Sequence, residues 1–187
     1  MTIPAEEAAS ALRDAEAAAG RAEAARGYRQ ASLYLILWGV IWAVANVASQ
    51  VSIPAGIAAW NIGAAVGIAG SVTIGARQRR AGRGGGWLRS LIVVLAIGGF
   101  GMCGAVIVPG LSFVQYSALA CLAVGAIYLA MGAGAGNGVG LRLSAVGAAV
   151  MAATLIGWVL AHDYFFLWMA AAGGGGLILG GLWFRKV

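Results

Sequence analysis

Trp38, Trp42, Asn46 and Gln50 recur at four-residue intervals in the otherwise almost wholly apolar stretch WGVIWAVANVASQ. Two indoles followed by two carboxamides could do either of two things. They could wall an outward-facing pocket for a small or lipid-like molecule, the rings giving apolar surface and the amides fixing orientation. They could instead hold helices together, because an amide left unpaired in hydrocarbon is costly and must face another helix or water. Asn61, Gln115 and Tyr116 are expected at similar depth and complete the candidate polar cluster. A second candidate is His162 beside Asp163, a pair suited to a pH-responsive outer turn because histidine titrates near neutrality. The plainer reading of HDYF is an exposed polar turn.

Other chemistry is thinly represented. Asp163 is the only acid after Glu23, so a transporter working through a buried carboxylate lacks its central group. One histidine and two cysteines, with no CxxC, give no basis for a protein-only zinc site. Cys103 and Cys121 fall in apolar stretches at different expected depths and read as small core residues rather than a disulfide. GxSxG, HExxH and P-loop patterns do not occur. MGAGAGNGVG lacks GxGxxG spacing and joins two apolar segments rather than a strand and a helix. No catalytic residue, metal or cofactor is assigned, and a non-enzymatic protein is expected.

The elements that must carry these residues follow from composition. Of 187 residues, 61% are hydrophobic and 10% charged, with a mean hydropathy of +0.90. A soluble domain carries about 25% charged residues. A bilayer explains the deficit, at about 20 apolar residues per helical span. Six spans are expected, near 32–50, 55–76, 88–108, 111–133, 139–161 and 164–184, with Pro54 and Pro109 at two of the turns. The fold class is therefore all-α: a polytopic membrane protein in which residues 31–187 form the six-span domain. Residues 1–30 form an alanine-rich cytoplasmic helix, with Pro4 suited to its start and Glu6 and Glu7 to its positive end. The polar, acidic N-terminus does not look like a cleaved signal peptide.

All twelve basic residues fall on one side of a six-span layout: Arg13, Arg21, Arg26 and Arg29, then Arg77, Arg79, Arg80, Arg83 and Arg89, then Arg142, Arg185 and Lys186. The positive-inside rule puts both termini in the cytoplasm. The loop from Arg77 to Arg89 is read as a contact for anionic lipid headgroups, each charge contributing about 1 kcal/mol near the surface. Without a recognition fold around it, nucleic acid is not expected as a partner. Stripes of small residues at Gly63/Gly67/Ser71, Ala145/Ala149/Ala153/Gly157 and Ala172/Gly176/Gly180 offer smooth faces for packing, within one chain or in a homo-oligomer.

The span pairs overlay with an offset of about 53 to 55 residues, which sets Pro54 over Pro109 and Trp60 over Gln115 and Trp168. Three antiparallel helix hairpins result. In hairpin order, turn prolines and glycine-rich returning helices such as WNIGAAVGIAG, residues 32–184 resemble the HdeD-like bacterial inner-membrane proteins. That resemblance implies six spans in three hairpins and a link to acid-stress resistance, and it carries over no residue role. The sequence is read as a structural, stress-response or accessory membrane protein whose N-terminal helix and basic loop meet protein partners and lipid. The alternative is a small-molecule or ion permease without carboxylate-based proton coupling, its site lined by Trp42, Asn46, Asn61 and Gln115.

Overall fold

A computed structural model describes residues 4–80, 110–134 and 138–186, and among these the chain is helical apart from short turns. Five helical runs are long and apolar enough to cross a membrane: Ala9–Val51, Ile53–Arg77, Phe113–Ala133, Gly140–Leu160 and His162–Arg185. They match five of the expected spans. The expected span 88–108, with Cys103, lies outside the described residues.

Helix α1, Ala5–Val51, has 47 residues and runs through residue 30 without a break, so the expected cytoplasmic helix and the first span form one rod. No proline interrupts it after Pro4, and its alanine-rich first half is intrinsically helix-forming. At about 1.5 Å per residue it is roughly 70 Å long, more than twice a bilayer core of about 30 Å. Residues 9–22 are exposed throughout. The rod stops where Ser52 takes an extended backbone, φ −163° and ψ 152°. The Ser52 hydroxyl then accepts from the Ala55 N–H at 3.3 Å, so one residue closes α1 and caps α2, Ile53–Arg80. Pro54 sits in the first turn of α2, where a missing N–H costs nothing.

Small residues set how closely the helices approach. Along α1 and α2, Gly56 lies on Ser49, Gly63 on Ile41, Gly67 on Trp38 and Gly70 on Leu37, so the two helices run antiparallel. The stripe expected on span two is thus filled by α1. Helix α3, Phe113–Ala133, packs against α4, Gly138–Leu160, with Gly125 against Gly147 and Gly132 against Gly140. The Ser144 hydroxyl donates to the Leu129 carbonyl at 3.0 Å. The α4 face used here carries Gly140, Ser144, Gly147 and Met151. That differs from the stripe read in the sequence: Ala145 and Ala149 are exposed, while Gly157 lies under Trp168.

The last rod is composite. A 3-10 turn, His162–Tyr164, leads into α5, Phe165–Trp168, then a π-helix, Met169–Gly175, then α6, Gly176–Arg185. The wider π turns rotate the phase of α6, and the glycines at 173–175 make the backbone permissive there. As a result Gly174 and Gly181 are the residues that meet α1, Gly174 at Ala43 and Gly181 at Ser32 and Ile36, with Gly39 facing Gly174 in return. Two residues of the stripe expected on this span, Gly176 and Gly180, do not take part. A methyl added at Gly176 or Gly180 would meet nothing within 4 Å.

The core joins Tyr28, Leu35 and Trp42 of α1 to Phe165, Phe166, Met169, Leu177 and Phe184 of the last rod, with Ala118, Cys121 and Val150 from α3 and α4. Large apolar side chains also line the outside, among them Val44, Ile62, Val66, Val159 and Leu179. A soluble protein rarely leaves so much apolar surface uncovered. Such a surface is compatible with helices that lie in a membrane.

Candidate functional site

The Trp38–Gln50 ladder advances about 40° per rung, since four residues turn an α-helix through about 400°. Its rungs therefore meet different neighbours. Trp38 faces α2, lies over Gly67 and donates its indole N–H to the Ser71 hydroxyl at 3.3 Å. Trp42 is buried and packs edge-to-face on Trp60, ring centroids 6.1 Å apart and planes at 78°. Asn46, 1% exposed, donates its amide to the Trp42 carbonyl one turn back, at 2.9 Å. Gln50 crosses to the final turn and donates to the Asp163 main-chain carbonyl at 3.1 Å. Its Oε1 is buried and has no hydrogen-bond partner among the described residues.

Other buried polar side chains share the pattern of Asn46. Ser49 donates to the Ala45 carbonyl at 2.7 Å, Ser117 to that of Phe113 at 2.8 Å, and Thr154 to that of Val150 at 2.8 Å. Each satisfies itself on the preceding turn of its own helix. Bonds between helices come from Tyr34, Trp38, Gln50, Ser144, Arg185 and from Trp168, whose indole donates to the Ala153 carbonyl at 2.7 Å.

The remaining candidates are spread over the bundle. Asn61 is exposed and donates to the Ile57 carbonyl of its own helix at 2.8 Å, and its neighbour Trp60 is the residue that meets Trp42. Gln115 is committed to a capping box at the start of α3: its Oε1 accepts from the Ser112 N–H at 2.8 Å, and its own N–H donates to the Ser112 hydroxyl at 3.3 Å. Tyr116 is half-buried on α3. Asn46, Asn61 and Gln115 thus form no shared polar cluster. The S-x-x-Q pattern at 112–115 carries the signal for Gln115's role.

His162 and Asp163 are both exposed. The His162 ring stands edge-on to Trp158 at 4.6 Å, and Asp163 is tied to α1 through its main chain. Arg77 is exposed near the end of α2. The side chains of Arg79 and Arg80, and all of Arg83 and Arg89, lie outside the described residues. Among the described residues no group of three His, Cys, Asp or Glu side chains gathers to hold a metal.

Sequence reasoning missed a second constellation, near the middle of α1. Arg142 lies over the rings of Tyr28 and Trp183, and Arg185 donates its Nε–H to the buried hydroxyl of Ser32 at 3.1 Å. Only the alignment of three helices brings these residues together.

The architecture is that of an all-helical chain with several apolar helices of membrane-crossing length. No family model matches it, and no curated protein or solved structure matches it.

Proposed function

We propose that the chain is an integral protein of a bacterial inner membrane, with six spans in three antiparallel hairpins and both termini in the cytoplasm. Its role is structural, stress-related or accessory, and it is not an enzyme. Protein partners would meet the exposed first half of α1, and the loop Arg77–Arg89 would meet anionic lipid. The three-hairpin layout is the one that the HdeD-like resemblance implies.

The observation that carries the non-transport reading is the way buried polar groups are satisfied. Asn46, Ser49, Ser117 and Thr154 each turn back onto their own helix. A permease of polar solutes would hold such groups toward a path. The Trp38–Gln50 ladder is better read as packing than as a pocket wall: Trp38 fills a groove on α2, and Trp42 pairs with Trp60.

Reconstitution tests this directly. Vesicles containing the full chain should leak ions and small polar solutes no faster than protein-free vesicles. Rapid flux that is lost in Asn46→Leu would replace this reading with the permease.

A further inference from the structure

Tyr28 on α1, Arg142 on α4 and Trp183 on α6 meet at the end of the bundle where α1 and α6 carry Arg29, Arg185 and Lys186. The central guanidinium carbon of Arg142 lies 4.6 Å from the Tyr28 ring centroid and 4.8 Å from that of Trp183. Phe184 backs the cage, edge-on to Tyr28 at 5.3 Å. Aromatic faces hold a guanidinium by its plane and leave its in-plane N–H donors for an acceptor. Nη1 of Arg142 is buried and has no hydrogen-bond partner among the described residues.

A buried cationic donor without an acceptor is costly. Among the described side chains none answers it. The only acid after Glu23 is Asp163, which lies beyond the opposite end of α4. One turn along α1 from Tyr28, Ser32 anchors a second guanidinium, that of Arg185, through its Nε. Arg185 itself is exposed. Two arginines from different helices thus converge on one turn of α1, with a tryptophan beside them.

We propose that Arg142, aided by Arg185, binds the phosphate of an anionic phospholipid headgroup. Arginine's planar fork suits phosphate oxygens, and the positive end of the α4 dipole lies at the same place. Arg142 is half-buried but Nη1 itself is covered, so a phosphate reaches that donor by displacing the side chains over it. Tyr28 and Trp183 fix the guanidinium against the bundle. The site differs from the diffuse attraction of the Arg77–Arg89 loop because it holds one headgroup in one place and is therefore less sensitive to salt.

The test uses the full chain in dodecyl maltoside, titrated with dihexanoyl phosphatidylglycerol or dihexanoyl phosphatidylcholine and read by native mass spectrometry. The glycerol lipid should bind in preference to the choline lipid, and Arg142→Gln should weaken it about tenfold. Equal binding by Arg142→Gln overturns the proposal. If that variant does not purify, Arg142→Lys decides: a loss of about threefold or more supports the site, and no loss overturns it. Inorganic phosphate is the competing arm. Tight binding of phosphate alone, displacing the lipid, would reassign the site to a free anion and overturn the lipid source. The proposal rests on the membrane-spanning reading. Release of the chain from membranes by alkaline carbonate would overturn that reading, whereas equal lipid binding by a detergent-dependent Arg142→Gln overturns this site alone.

Discussion

Gly174 and Gly176 sit two residues apart in one glycine run, and the contact between α1 and the last rod gives them opposite roles. A methyl added at Gly174 would stand 2.7 Å from the backbone nitrogen of Ala43 and 2.9 Å from its Cα and Cβ. Ordinary contact begins at 3.4 Å, so the helices must part by roughly 0.7 Å at that point. The neighbour is backbone, which cannot rotate aside. Overpacking of this kind costs about 1–3 kcal/mol. A methyl at Gly176 meets nothing within 4 Å, and replacing a helical glycine by alanine gains about 0.5–1 kcal/mol. Gly174→Ala should therefore be destabilised and Gly176→Ala neutral or stabilised, a separation of about 1.5–4 kcal/mol between near neighbours. Unfolding in mixed dodecyl maltoside and SDS micelles, monitored by tryptophan fluorescence and far-ultraviolet circular dichroism, measures both. Equal damage from the two substitutions, or none from either, would mean that the last rod meets α1 in another register. The phase shift introduced by the π-helix would then be wrong.

The ladder and its neighbours yield further outcomes. A double-mutant cycle on Trp42→Leu and Trp60→Leu should return a coupling of about 0.5–1.5 kcal/mol, and a value near zero would dissolve the edge-to-face pair. Asn46→Leu should change stability by less than about 1 kcal/mol, because its amide serves only its own helix, and it should leave vesicle permeability untouched; altered flux would restore the pocket. Ser112→Ala and Gln115→Ala should each cost about 0.5–2 kcal/mol, and the double variant should lose less than their sum, since they form one capping box; strict additivity in unfolding would speak against it.

Membrane-length helices are legible in the sequence because lipid demands long apolar runs, and five of them stand where hydropathy puts them. The stop at Ser52 and Pro54 is legible too, since prolines belong at helix starts. The unbroken join between the alanine-rich segment and the first span is less so: composition changes near residue 30 while helix propensity does not. Which small residues pack is legible only where the helix is regular. On α2 the four-residue stripe is filled. On the last rod the π turns shift the phase, and Gly174 and Gly181 take the place of Gly176 and Gly180 of the expected stripe. The candidate cluster is scattered because equal depth does not fix azimuth: Asn61 is exposed and Asn46 buried, although Asn61's neighbour Trp60 meets Trp42 of α1. The Arg142 cage is invisible in the sequence for the same reason, as nothing in the chain order links residues 28, 142 and 183.

The central claim is that the basic residues share one side of a membrane. Single cysteines in place of Arg77, His162 and Lys186, with Cys103 and Cys121 replaced by serine, can be probed in intact cells with a membrane-impermeant thiol reagent. Position 162 should label from outside, and positions 77 and 186 only after the membrane is opened. Labelling of 77 or 186 in intact cells, or of all three alike, would contradict it.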